Sequence, residues 1–357
     1  MRISTNLFHN QGINSIQKHQ GDVLETQLKL STGKRVNKPS DDPVAINQIH
    51  SLNRTMNTID QYAKNGEFAK SQLVLEETAI SDTINSLQRA RELGIQMLNG
   101  TYNEDNRLAA AQEIDQITKQ VANMMNYTNS EGEKLFAGNN VFANQAFIKD
   151  PDNLAGGFYK YIGSGDIGGA TPPAAGDELA MYGARFVQIG FDDDNTINPD
   201  DLGDPSRVRI TDNGAKVFLV DENIDHTTLD FTTGVDNNVL NTLVNMSHIL
   251  KEDGLETAIA GTGGTPPTLD DIVNQFDSAI SNLSQVRAEI GGRQNRIETQ
   301  FDAGESFKLA LEERRQTLEE QDLVEGITDL TKYQNALQMS QQIFTRVQGL
   351  SLFNYLR

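Results

Sequence analysis

The sequence predicts a mainly α-helical, elongated protein that runs out and back, with its N- and C-terminal helices paired and a small β-rich insert at the far end. Three observations lead there. Apolar residues recur every seven positions over long stretches towards both ends of the chain, the pattern of helices packed along their length. Between Asn140 and Pro266 that pattern gives way to Gly, Pro, Asp and Asn. It resumes at Thr268 and holds to the end, so helices that leave along the first part must return along the last.

The first helix spans Ile3 to Leu30. Ile16, Val23 and Leu30 fall seven apart, and Ile13 adds to that face. Gly12 and Gly21 each lower its intrinsic stability by about 1 kcal/mol relative to Ala. It therefore needs a partner, and the C-terminal helix is the obvious one. Gly33 suits the C-cap. Asp42 before Pro43 suits an N-cap followed by Pro at the first helical position. Asp41 and Asp42 could suggest a metal, but no third ligand stands near at a recognised spacing, and capping is the better reading.

One long helix follows from Pro43 to about Asn99. Leu52, Ile59, Leu73, Ile80 and Leu87 hold the repeat, with Gly66 in the vacant place. At 1.5 Å per residue it is about 85 Å long, hence the elongation. Asn99-Gly100 breaks it. A shorter helix comes next, with Leu108, Ile114, Ile117, Val121 and Met124 on one face.

The middle segment carries seven Lys/Arg against twenty Asp/Glu, so −13 of the net −20 sits there. Short β-prone runs are Phe158–Ile162, Arg185–Phe191, Arg207–Thr211 and Lys216–Val220. The last two flank Asp212-Asn213-Gly214, a hairpin signal. A helix fits Val239–Leu250. The acidity is that of a solvated outer surface.

On the return, Leu269, Phe276, Leu283, Ile290 and Ile297 are again seven apart, and Leu311 and Leu318 continue that phase. The last helix is expected over roughly Phe307 to Leu356. Leu309, Leu323, Leu330, Leu337 and Phe344 form its stripe, with Gln316 in the one vacant place. Its sides are unusual. From Tyr333 to Gln348 the only charge is Arg346, and the other polar positions are mostly Gln, Asn, Ser and Thr. A helix bathed in water carries a charged outer face. This one is built to be surrounded by protein. The boundaries divide the chain into a terminal coiled-coil part (1–38 with 320–357), a helical rod (39–139 with 267–319) and a variable acidic part (140–266).

The composition excludes several functions. A net charge of −20 speaks against nucleic acid or an anionic membrane as partner. No apolar run approaches the ~20 residues of a membrane span. The absence of cysteine removes disulfides, thiolate catalysis and Cys-bound metal. The start has no apolar region and no cleavage site of a signal peptide. None of His9, His19, His50, His226 and His248 forms a metal pair. Asp192–Asp201 fails the EF-hand pattern, with Ile197 where Gly is needed and Gly203 where the bidentate acid is needed. The Gly-rich stretches at 163–169 and 261–264 lack the Gly-Lys-Ser/Thr of a P-loop. No catalytic constellation and no cofactor site is expected.

Several motifs do match a known family. Ser31-Thr-Gly-Lys-Arg-Val-Asn-Lys-Pro-Ser-Asp-Asp-Pro43 resembles the N-terminal signature of flagellins and their junction relatives. Gln88-Arg-Ala-Arg-Glu-Leu93 and Asn99-Gly-Thr101 resemble the following helix and turn. Arg287-Ala-Glu-Ile-Gly-Gly-Arg-Gln-Asn295 and Arg346-Val-Gln-Gly-Leu-Ser-Leu-Phe-Asn-Tyr-Leu356 complete the match on the return arm. Pro39-Ser-Asp-Asp-Pro43 and the Leu-Phe-Asn-Tyr-Leu-Arg ending resemble the hook–filament junction members rather than filament flagellins.

The resemblance implies a structural, non-enzymatic subunit, secreted through the flagellar type III channel to the extracellular flagellum. It implies partners: further copies of itself, the adjoining junction protein on the hook side, flagellin, and an export chaperone at the C-terminal region. Ile16, Val23, Leu30, Leu323, Leu330, Leu337 and Phe344 are the expected assembly residues. Arg89, Leu93 and Glu113 fall where the family presents a surface to an innate receptor; an exposed polar face between subunits is the plainer account. Two alternatives stay open, a filament flagellin and a secreted enzyme displayed on a flagellin scaffold.

Overall fold

The computed structural model describes residues 2–98, 102–140, 142–150, 156–163, 185–191, 206–220, 238–251 and 267–355. It is mainly helical, and its elements follow in the order α1 (Arg2–Thr32), α2 (Pro43–Leu98), α3 (Glu104–Met125), β1 (Phe147–Lys149), β2 (Tyr159–Tyr161), β3 (Phe186–Gln188), β4 (Arg207–Arg209), α4 (Gly214–Val217), α5 (Val239–Lys251), α6 (Leu269–Glu319) and α7 (Leu323–Tyr355). The N- and C-terminal helices pair, α1 with α7 and α2 with α6. The chain forms two compact units, one of residues 1–60 with 305–357 and one of residues 61–304.

The helix ends carry the expected chemistry. After Thr32, Gly33 takes φ +69°, a left-handed turn that a Cβ would oppose. Asp42 caps α2, its Oδ1 accepting Ala45 N–H at 3.0 Å, with Pro43 at the first helical position. Asp41 closes the preceding turn by accepting the Asn37 and Lys38 amides. Asn103 caps α3 by accepting Asn106 N–H.

In the unit of residues 61–304 the seven-residue stripes become a core. Leu73, Ile80 and Leu87 of α2 are fully buried, as are Phe276, Leu283 and Ile290 of α6. The side-chain pairs run antiparallel: Lys70 faces Glu298, Gln294 donates to Glu77, and Arg91 meets Asp277. On α3, Ile114, Ile117 and Val121 are buried as expected. Leu108 is instead 38% exposed, and Met125 replaces Met124 on the inner face. That face drifts because a straight helix turns every 3.6 residues.

Two small antiparallel sheets form among the described residues, β1–β2 with Phe147 opposite Tyr161 and β3–β4 with Phe186 opposite Arg209. The expected hairpin at Asp212-Asn213-Gly214 does not form. β4 pairs with β3, and Lys216–Val220 is no strand, because Asn213 Oδ1 accepts Ala215 N–H and starts the short helix α4. Asn is as good an N-cap as a turn residue. Phe136, Phe147 and Phe218 pack edge-to-face beneath these elements, with ring centroids 4.8 and 5.8 Å apart, the geometry their quadrupoles favour. α5 docks on α3 through Asp115, which accepts Ser247 Oγ at 2.6 Å and Lys251 Nζ at 2.8 Å.

The C-terminal arm corrects the expectation of one helix from Phe307 to Leu356. α6 ends at Glu319 and α7 begins at Leu323. Asp322 caps the new helix, its Oδ1 accepting Val324 N–H at 2.8 Å and Glu325 N–H at 3.3 Å. The calcium-like run at 192–201, the second Gly-rich stretch and His226 lie outside the described residues.

Candidate functional site

The terminal helix pair is the surface on which function rests. α1 and α7 run antiparallel and approach closely because each offers a glycine to a large residue of the other. A Cβ placed on Gly12 would sit 2.7 Å from Phe344 Cδ2, and one on Gly326 would sit 2.8 Å from Leu30 Cδ2. Both are well inside carbon–carbon contact distance. His9 adds a tilted ring contact to Phe344, 5.0 Å between centroids.

At the foot of the pair the two breaks are tied together. Arg35 N–H donates to Glu319 O at 2.7 Å, Gln321 N–H donates to Gly33 O at 3.0 Å, and Arg35 Nη2 donates to Leu318 O at 2.9 Å. Lys34 pairs with Glu319. The basic residues of the loop thus serve the C-terminal arm. Asp42, half-buried, is held below the usual carboxylate range mainly by the Ala45 amide, with Arg35 assisting.

The predicted assembly residues divide. Ile16, Val23 and Leu30 of α1 and Leu330, Leu337 and Phe344 of α7 are half-buried, while Leu323 is exposed. A second apolar set stays in solvent: Leu7, Leu24 and Leu28 on α1, and Val324, Ile327, Met339, Ile343 and Val347 on α7. Met339, Ile343 and Val347 fall four apart, so they line one face. Met339 is 63% and Ile343 62% exposed. A helix in a pair buries one stripe; this one carries a further stripe flanked mostly by Gln, Ser and Thr, with Arg346 the one charge beside it. Contiguous apolar surface of that kind marks a place where other protein binds. Sequence reasoning found the half-buried stripe and missed Gly12, Gly326 and His9. Glycines standing opposite large apolar residues were the available signal.

Arg89, Leu93 and Glu113 come together in part. Arg89 Nε donates to Glu113 Oε1 at 2.7 Å, and Arg89 Nη1 lies 3.4 Å from Glu92 Oε2. The Glu113 hydrogen bond raises the Arg89 pKa further. Leu93 is buried, 4% exposed. Among the described residues no group of three or more His, Asp or Glu could hold a metal ion. None of the described helices is long and apolar enough to cross a membrane.

Comparison with known proteins agrees with this architecture. Residues 3–141 match the bacterial flagellin N-terminal helical region, and residues 273–356 match the bacterial flagellin C-terminal helical region, together more than half of the chain. Flagellar hook-associated protein 3 of Salmonella typhimurium is 28% identical over 353 residues, covering 99% of both chains. Flagellar hook-associated protein 3 of Escherichia coli is 29% identical over 353 residues with the same coverage. The crystal structure of flagellar hook-associated protein 3 from Legionella pneumophila shares the fold, with a TM-score of 0.54 at 17% identity over 76% of this chain and 98% of that one. With both terminal regions matched and the relatives aligned from end to end, the chain belongs to the flagellin family, as a protein of the flagellar hook-associated protein 3 type.

Proposed function

We infer that the chain is a structural subunit of the bacterial flagellum, outside the cell, that joins hook to filament. The observation that carries this is the uncovered apolar stripe of the terminal pair, Met339, Ile343 and Val347 above all, in a chain that aligns from end to end with hook-associated proteins. A repeated contact between unlike faces that closes on a ring, or continues as a helix, covers such stripes without a lipid or ligand. Its partners are further copies of itself, the adjoining hook-side junction protein, flagellin, and an export chaperone that holds the C-terminal region before assembly. The division into terminal, rod and variable parts assigns assembly to the first. The seven residues Ile16, Val23, Leu30, Leu323, Leu330, Leu337 and Phe344 belong to the assembled interface.

The test is an electron micrograph of cells lacking the protein, complemented with the intact chain or with one truncated after Gln321. Bare hooks with flagellin released to the medium, rescued by the intact chain alone, are expected. Normal filaments in the deletion strain would overturn the reading. A filament flagellin is the second reading; the Pro39-to-Pro43 loop speaks against it, and copy number per filament decides. Innate-receptor recognition through Arg89, Leu93 and Glu113 is a separate proposal. It requires that free subunits bind a receptor ectodomain and that Arg89→Ala weakens binding selectively.

A further inference from the structure

The chain has neither cysteine nor tryptophan. All its sulfur is thioether, so with no thiol to compete, the methionines are the side chains that a mild oxidant such as a peroxide attacks. Of the six methionines among the described residues, five are sheltered. Met56, Met125 and Met246 are buried, and Met97 and Met124 are half-buried. Met339 of α7 is the exposed one.

Its position gives that exposure a consequence. Met339 begins the uncovered stripe that continues through Ile343 and Val347. From Asn335 to Ile343, one turn to either side, no residue is charged. A thioether in this setting is an apolar contact that adapts its shape to whatever packs on it. Ile343 and Val347 are hydrocarbon and lack this chemistry. One oxygen atom on the sulfur is enough to alter the stripe. A sulfoxide is polar and accepts hydrogen bonds, and an acceptor buried without a donor opposes burial.

We propose that Met339 is a site of oxidative modification that controls entry into the assembly: a peroxide converts its thioether to the sulfoxide in the free subunit, and the modified subunit is not incorporated. The sulfur lone pair takes one oxygen atom as the O–O bond of hydrogen peroxide breaks. The proton on that oxygen passes to the departing one, which leaves as water. Sulfur is oxidised by two electrons and the peroxide is reduced by two. The side chain is open to solvent with α7 paired to α1, so the step does not need the pair to part. Once the stripe is covered the step is shut off. This control presupposes that the stripe is covered on assembly, as inferred above.

Mass spectrometry of the full-length chain treated with hydrogen peroxide should show Met339 as the first of the six methionines to gain oxygen. Treated and untreated chain is then added to flagella purified from cells lacking the protein, and the bound fraction is measured. Chain oxidised at Met339 should need a concentration about tenfold higher, or more, for equal binding. Its melting temperature should be unchanged; a lowered one would put the effect in the α1–α7 pair and overturn the control. Methionine sulfoxide reductases A and B should restore binding. Met339→Leu, apolar and without sulfur, should bind like the untreated wild type before and after peroxide. Met339→Gln, polar from the start, should bind weakly in both conditions. Equal binding by oxidised and untreated wild type overturns the proposal. So does a loss in peroxide-treated Met339→Leu that matches the wild type, or oxidation of Met339 only after the half-buried methionines. If the untreated chain does not bind at all, the assembly role itself fails and the control falls with it.

Discussion

Gly94 is a position at which two known effects oppose each other. It lies in the same row of α2 as Leu73, Ile80 and Leu87. Alanine there gains about 1 kcal/mol of helix propensity over glycine. Its Cβ would also lie 2.9 Å from Val273 Cγ2 and 3.5 Å from Met246 Cε. The second distance is ordinary contact; the first is an overlap. Val273 is buried, 8% exposed, and β-branched, so its χ1 has little freedom to give way. Overpacking of this kind costs about 1–3 kcal/mol. The net effect of Gly94→Ala is then between about zero and about 2 kcal/mol of destabilisation. Gly291 of α6 is the control, because a Cβ there meets nothing within 4 Å and only the gain remains. For a unit spanning residues 61–304, 1 kcal/mol moves Tm by roughly 2–4 °C. Calorimetry should place Gly291→Ala about 2–4 °C above the wild type, and Gly94→Ala at the wild-type Tm or as much as about 8 °C below it. Val273→Ala combined with Gly94→Ala should recover part of the loss, a coupling that a double-mutant cycle measures. If Gly94→Ala melts as high as Gly291→Ala, α2 and α6 are not in close contact at this level and the reasoning fails.

Arg293→Met removes both guanidinium bonds from buried Asp212 and should cost about 3–5 kcal/mol in denaturant unfolding; a loss under about 1 kcal/mol would mean that Arg209, 2.9 Å from the same carboxylate, suffices alone. Arg185 holds the Glu133 carboxyl below its usual range. The stability from that pair is present above the ordinary glutamate pKa and is lost as pH falls through the depressed one, so Arg185→Gln should flatten the acid limb of the stability profile. Met339→Ser with Ile343→Ser alters side chains already in solvent; the free chain should melt unchanged, while sedimentation and microscopy show that assembly is lost.

Much of the helical frame was legible because its signals are local. Heptad spacing gave both arms of the 61–304 core, and Gly33 and Asp42 marked ends that the backbone confirms. The break after Glu319 was missed although its signal is present. Asp322-Leu-Val-Glu325 is an N-cap with an acid three places on, but Leu309 and Leu323 stay in phase across it, so the stripe showed no gap. β1 was missed because its β-prone run is only Phe147-Ile148, cut short by Lys149-Asp150, whereas the other strands sit inside runs of five or more residues. Asp212-Asn213-Gly214 was misread because a turn and a helix start draw on the same residues. A buried polar cluster, in which Asp212 N–H donates to Glu76 and Arg293 donates twice to the Asp212 carboxylate, could not be read at all. Its members, Glu76, Asp212 and Arg293, are brought together only by the packing of three distant segments.

The two glycine notches of the terminal pair have a consequence for alignment. A stripe repeating every seven residues is nearly indifferent to a slide of seven, so apolar burial alone leaves two long helices several registers to choose from. Gly12 receives Phe344 and Gly326 receives Leu30. Passing from 12 to 30 on α1 retraces 344 to 326 on α7, the same step in reverse, so both notches close in one alignment. Slide the pair by seven and Phe344 meets His19 or Thr5 instead of a missing side chain, while Leu30 meets Tyr333 or Glu319. The notches work like the marks of a vernier, selecting one coincidence among repeats that otherwise look alike.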